Sequence, residues 1–199
     1  MAQRVKDRLR HEGEPVKGSR FIATIVPVAD EASSKRALAE LRAEMPDAGH
    51  HCSAWRIATP AIERASDDGE PGGSAGRPIL AQLAGRDLVD TAVIVTRFWG
   101  GTKLGVGGLV RAYGGAAGQA LDLATLEPWV ALIDATLTHD HGDTDAITRA
   151  LAAHGVAETG ASYGVHVSRT LQVRVTAIDT VTSAIADATS GRASLSFDD

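Results

Sequence analysis

Apolar and polar positions change rhythm several times along the chain, and each change marks an element. Residues 20–28 (RFIATIVPV) are β-branched and aromatic and predict a strand, with Pro27 turning its end into an edge. From Asp30 the period becomes helical. In DEASSKRALAELRAEM, Ala37, Leu38, Leu41 and Met45 mark one face, Asp30 and Glu31 suit the positive N-terminal end, and Pro46 stops the run. HHCSAWRIA (50–58) predicts a second strand. SDDGEPGGSAGRP (66–78) has no apolar period and is dense in Gly and Pro, which predicts a loop. A helix over 78–86 follows, then TAVIVTRFW (91–99), a continuous apolar run that predicts a strand buried on both faces. GGTKLGVGGL (100–109) reads as a second loop. It feeds a helix through about Leu126, with Leu109, Ala112, Tyr113, Ala116, Ala120 and Leu123 on its buried side. Beyond it the pattern gives strand 129–138, helix 143–154, strands 156–163 and 164–177, helix 179–189 and strand 192–197. That βαββαβ order is the split-βαβ, ferredoxin-like arrangement.

Composition sharpens this into two domains. The 199 residues are 44% hydrophobic and 23% charged, an ordinary globular balance that argues against global disorder. Net charge is −5, which counts against a broad non-specific nucleic-acid binder, but it is unevenly placed. Residues 1–128 hold 16 basic and 16 acidic residues, whereas 129–199 hold 4 and 9. The break near Glu127-Pro128, with Pro128 suited to stop a preceding helix, predicts two α+β domains, 1–128 and 129–199. No stretch approaches the length of a bilayer-spanning helix, and the charged N-terminus lacks the apolar core of a signal peptide. The single cysteine, Cys52, excludes an intramolecular disulfide and thiolate-rich zinc sites. Together these features predict a cytoplasmic protein.

Chemistry concentrates in the two loops. The first places Asp67, Asp68 and Glu70 within four residues, beside Gly69, Pro71, Gly72, Gly73 and Gly76. Three readings stand open: acid/base work or a hard cation such as Mg²⁺, docking onto a basic partner, or turn-capping alone. The second loop runs strand, glycines, helix, carrying Arg97, Lys103 and Arg111 and no acid among Gly100, Gly101, Gly105, Gly107 and Gly108. Backbone N–H groups at a helix start favour anions, and glycine lets a phosphate approach. The spacing matches neither G-x-x-x-x-G-K-[ST] nor G-x-G-x-x-G, so an anion cradle and a bare structural turn both remain, and no nucleotide cofactor is implied.

Other constellations are weaker. His50-His51-Cys52 lies on a strand, where neighbours face opposite sides, so the two His do not ligate one metal without distortion. A Cys–His nucleophilic pair competes with Cys52 as a small buried apolar residue. His139-Asp140-His141-Gly142-Asp143-Thr144-Asp145 has metal-binding composition, yet Asp143 as N-cap and Asp145 in the first helical turn account for it.

The segments KGSRFI (17–22), HHCSAW (50–55), SDDGEPGGSAGRP (66–78) and RFWGGTKLGVGGLVRAYGGAAGQAL (97–121), in this order and spacing, resemble the YigZ/IMPACT family over nearly the whole chain. Phe98-Trp99 stands where a tyrosine-containing pair is commoner, which keeps a ring and loses a phenolic donor. The resemblance implies an N-terminal domain like the second domain of ribosomal protein S-five, and a C-terminal ferredoxin-like domain like one at the end of elongation factor G. In eukaryotes, similar N-terminal domains restrain a starvation-sensing translation kinase by competing for its activator; bacteria lack that kinase. No established catalytic residues come with the family, and this chain offers no two-metal ligand set for the proline-dipeptidase label that some relatives carry.

The expected function is therefore a non-enzymatic, translation-associated regulator that binds RNA, the ribosome or a translation-factor partner, with no cofactor, no membrane role and no DNA specificity. In that reading Arg97, Lys103 and Arg111 meet phosphates or an acidic partner while Asp67, Asp68 and Glu70 orient the loop beside them. The alternative is a metal-assisted hydrolase of a phosphorylated or peptide-like substrate. There Asp67, Asp68 and Glu70 hold Mg²⁺, Arg97 and Lys103 neutralise phosphate, and His50 or His51 is the base. Its warrant is that parallel strands put both loops at one edge of a sheet.

Overall fold

A computed structural model describes residues 2–198. Their contacts divide the chain into two compact units, 1–129 and 130–199. The first unit contains β1 (Gln3–Val5), β2 (Leu9–Glu12), β3 (Arg20–Pro27), α1 (Glu31–Glu44), β4 (His50–Ile57), β5 (Ile62–Ser66), α2 (Gly76–Gly85), β6 (Thr91–Phe98), α3 (Val106–Leu123) and β7 (Leu126–Pro128). Its main sheet has the order β2-β3-β6-β4-β5, and β1 pairs with β7 in a separate ribbon.

Strict alternation sets the two faces of that sheet. Phe21, Ala23 and Ile25 of β3, Val93 and Val95 of β6, and Cys52 and Ala54 of β4 pack with Ile79 and Leu83 of α2 and Leu109, Tyr113 and Ala117 of α3. The intervening residues Ala92, Ile94 and Trp55 face the other way and pack with Ala37 and Leu41 of α1. Helices on both faces explain why β6 is buried along nearly its whole length. Asp30 begins α1 as a capping box: its carboxylate accepts the Ser33 N–H at 2.6 Å, and Ser33 Oγ accepts the Asp30 N–H at 3.1 Å.

The second unit contains β8 (Leu132–His139), α4 (Thr144–Ala153), β9 (Ala157–Tyr163), β10 (Val167–Arg174), α5 (Ile178–Thr189) and β11 (Ser194–Phe197), in the sheet order β11-β8-β10-β9. All its pairings are antiparallel, which is the βαββαβ ferredoxin-like topology. Ala135, Leu137, Leu171 and Val173 meet Ile147 and Leu151 of α4 and Val181 and Ile185 of α5 in its core. Among the described residues no helix is long and apolar enough to cross a membrane.

Several expectations are corrected. The main sheet of the first unit is wholly antiparallel, not parallel. Its two loops nevertheless leave one end of the sheet, because β5 and β6 each run antiparallel to β4 and so share a direction. The glycine loop is shorter than 100–109: α3 begins at Val106, which places Gly107 and Gly108 in the helix with Arg111. That helix ends at Leu123, and Pro128 closes β7 instead of stopping the helix. Strands β1, β2 and β5 escape the periodicity because they are short, marginal and largely polar. Asp143 occupies the residue before α4 but does not cap it; its carboxylate takes the Arg192 guanidinium at 2.6 and 3.2 Å.

Candidate functional site

The site forms at the end of the five-stranded sheet where β3 and β4 begin and β5 and β6 finish. Arg97 is paired in register with Phe21 on one side and His50 on the other, so the three side chains stand on one face, the face that α3 covers. Tyr113 of α3 meets Phe21 edge-on, with ring centroids 5.1 Å apart. The Arg97 guanidinium carbon lies 5.6 Å from the Phe21 ring centroid.

The acidic loop folds inward onto this scaffold. Asp67 accepts the backbone N–H groups of Gly73, Ala75 and Gly76 at 2.7, 2.9 and 2.8 Å, so it shapes the loop and supplies the donors at the start of α2 with an acceptor. Burial disfavours its charge, but the three N–H donors outweigh burial and hold its carboxyl below the usual carboxylate range. Asp68 spans two elements, accepting from Arg42 of α1 at 2.6 Å and from the His51 backbone N–H at 2.6 Å. Its carbonyl accepts from His50 Nδ1 at 2.8 Å, which fixes the proton on that nitrogen. Cys52 Sγ donates to the Asp67 carbonyl at 3.0 Å.

Glu70 reaches deepest. Its side chain is 5% exposed, and Oε1 accepts from Arg97 Nη1 at 2.6 Å and from the Tyr113 hydroxyl at 2.7 Å. Arg97 Nη2 also donates to Ser19 Oγ at 3.3 Å, and Ser19 Oγ accepts the Gly100 N–H at 3.2 Å. One buried ion pair thus ties the acidic loop, β6, α3, the 17–19 turn and the glycine loop together. Gly100 lies where a side chain has no room: a Cβ there would come within 1.9 Å of the Gly18 carbonyl carbon.

This arrangement changes the chemistry the loop can do. Asp67 and Asp68 each commit both oxygens to N–H or guanidinium donors, and Glu70 commits Oε1 to Arg97 and Tyr113. Among the described residues no cluster of three or more His, Cys, Asp or Glu is placed to hold a metal ion. The described residues do not fit Mg²⁺. Burial pushes the Cys52 thiol up to about 12, against the Tyr113 hydrogen bond, so it stays protonated and un-nucleophilic near neutrality. Burial likewise raises the Tyr113 hydroxyl, which therefore acts as a donor to Glu70. His51 lies on the opposite face from His50, and burial lowers its pKa below the ordinary value.

Arg97 is 94% buried and committed to Glu70, so the expectation that it meets phosphate directly is corrected: it forms the wall of the site. Lys103 and Arg111, with Lys17 from the neighbouring turn, are exposed and have no ion-pair partner among the described residues, whereas Arg42, Arg86 and Arg97 are all paired. Lys17, Leu104, Gly108 and Arg111 line one cavity of about 180 Å³. Glu70, Arg97, Trp99, Lys103, Leu104 and Val106 belong to a second of about 330 Å³. Leu104 is common to both, so the two adjoin. Gly101 and Gly105 sit in the intervening turn with positive φ, and Gly105 begins α3 without any side-chain cap. Gly69, φ +87, turns the acidic loop beneath His50. Sequence reasoning missed Tyr113, Ser19 and Arg42 as parts of the site. A tyrosine on an otherwise apolar helical face was the available signal, since its buried hydroxyl requires a partner.

Two α+β units, the first carrying a Glu-Arg-Tyr lock between an acidic loop and a glycine loop, define the class of protein. The family model described as the Impact N-terminal domain matches residues 17–121, and one described as a domain of unknown function (DUF1949) matches residues 137–192. The chain belongs to the IMPACT family. It is 43% identical over 127 residues to "IMPACT family member YigZ" of Escherichia coli (strain K12), covering 62% of each chain. It is 41% identical to "IMPACT family member YvyE" of Bacillus subtilis (strain 168), over 59% of this chain and 54% of that one. The matched stretches thus span between half and two thirds of those two relatives. A Haemophilus influenzae IMPACT family member is 32% identical over 90% of this chain and 88% of its own. A solved structure titled "Crystal structure of an hypothetical protein" superposes with a TM-score of 0.75 at 32% identity, covering 98% of this chain and 95% of that one.

Proposed function

We propose that this protein is a non-enzymatic, translation-associated regulator that engages RNA on the ribosome through the face formed by Lys17, Lys103 and Arg111. The observation that carries the reading is the contrast in charge commitment at one sheet end. All three acidic-loop carboxylates are internally bonded, while these three cations are exposed and have no ion-pair partner among the described residues. Unpaired cations beside an uncapped helix start favour a phosphate backbone. With so few cations the binding is weak and salt-sensitive. Glu12 and Glu14 line the neighbouring groove together with His11 and Lys17, so the attraction is confined to the end of α3 nearest the glycine turn.

The hydrolase reading finds no comparable support, because among the described residues its proposed metal ligands form no cluster that could hold an ion, and of its two proposed bases His50 is bonded to the Asp68 carbonyl and His51 is buried. Ribosome co-sedimentation at low and moderate salt tests the proposal. The wild-type chain is expected to sediment with ribosomes at low salt, and Lys103→Ala is expected to release it. Persistent absence from every ribosomal and RNA fraction overturns the reading.

A further inference from the structure

We infer that the cavity beneath Trp99 receives the base of an unpaired RNA nucleotide whose phosphates run onto Lys103, Arg111 and Lys17; this rests on the RNA-binding reading above. The cavity, about 330 Å³, has walls of Pro71, Leu104, Val106 and Leu109, with Trp99 at its mouth. That volume lies at the lower end of ordinary small-ligand sites. Trp99 is 65% exposed and Val106 57%. A tryptophan face left open beside an apolar cleft is the surface on which a flat ring stacks, and every base offers such a ring.

Charge selects the occupant. Lys103 stands on the rim of this cavity, and through Leu104 the cleft continues into the one lined by Lys17 and Arg111. A ring carried on a polyanion satisfies both features at once, whereas a neutral apolar ligand leaves the cations unused. The wall behind the ring is rigid. Arg97 is pinned by Glu70 and Ser19, and its Nε is buried without a partner among the described residues. Apolar side chains, Pro71, Trp99, Leu104, Val106 and Leu109, make up most of the lining, so stacking without strong base preference is the expected mode.

The test compares fluorescently tagged hexa-adenylate with an abasic ribose-phosphate hexamer of the same charge, by anisotropy at low salt with the full chain. The wild type is expected to bind the base-bearing hexamer at least about fivefold more tightly. Trp99→Ala is expected to erase that ratio while leaving abasic binding unchanged, and Trp99→Phe to keep most of it. Lys103→Ala should weaken both hexamers and preserve the ratio. Equal affinity for the two hexamers in the wild type, or an undiminished ratio in Trp99→Ala, overturns the base cavity and leaves the phosphate-binding reading standing. If neither hexamer binds and the chain also fails to sediment with ribosomes, both readings fall. An acidic, aromatic-containing peptide of equal charge that binds more tightly than hexa-adenylate overturns the inference in favour of a protein partner.

Discussion

Two loops leave the same end of one sheet, both rich in glycine and charge, and they use those charges in opposite ways. The acidic loop turns every carboxylate inward: Asp67 to three backbone N–H groups, Asp68 to Arg42 and His51, Glu70 to Arg97 and Tyr113. The glycine loop and the helix after it keep Lys103 and Arg111 in solvent without ion-pair partners among the described residues. The difference lies in where donors happen to be. An acid beside a newly started helix and a buried arginine finds strong acceptor work at once. A lysine on a turn over an apolar cleft finds none, and its charge stays available to another molecule.

Substitutions can break that contrast, beginning with the deepest contact. Glu70→Ala strands the Arg97 charge in the interior and is expected to cost about 3–5 kcal/mol in urea unfolding. Replacing both partners, Glu70→Leu with Arg97→Met, should recover most of that loss, because the desolvation of both charges is removed. No recovery would mean that Tyr113 and Ser19, not the ion pair, hold the lock.

Asp67→Ala removes the acceptor from three N–H groups and is expected to cost about 2–3 kcal/mol. The pH dependence carries the sign. Asp67 has a lowered native pKa, so its contribution is complete above the ordinary value of 3.8 and is lost as pH falls through the native value. The stability gap between wild type and Asp67→Asn, followed by thermal unfolding, is therefore expected to be constant above about pH 5 and to shrink toward pH 3. A gap that widens on acidification would contradict the assignment.

Gly100→Ala drives a methyl into the Gly18 backbone and should cost about 1–3 kcal/mol, with the 17–19 turn losing protection in hydrogen exchange. The smallest effect on stability is expected at the cations. Lys103→Ala and Arg111→Ala should change unfolding by less than about 0.5 kcal/mol while lowering ribosome association and flattening its salt dependence. Loss of stability without loss of association would reverse the division between the two loops.

Sequence alone determined most of the second unit, because its two helices and strand β10 each bury one regular stripe: Ile147 and Leu151, Val181 and Ile185, and the alternating Val167, Leu171 and Val173. It also determined that Asp30 caps α1, that β6 is buried on both faces, and that the chemistry gathers in two loops, since capping, an unbroken apolar run and glycine density are local signals. Tertiary structure alone decided what those loops do. Asp67, Asp68 and Glu70 look alike in sequence, and only the arrival of α2, α1 and Arg97 gives each a different partner. Arg97 and Lys103 also look alike, six residues apart. Register on β6 places the first opposite Phe21 and His50 under α3, where an unpaired charge is intolerable, and the turn leaves the second in water, where no partner is required.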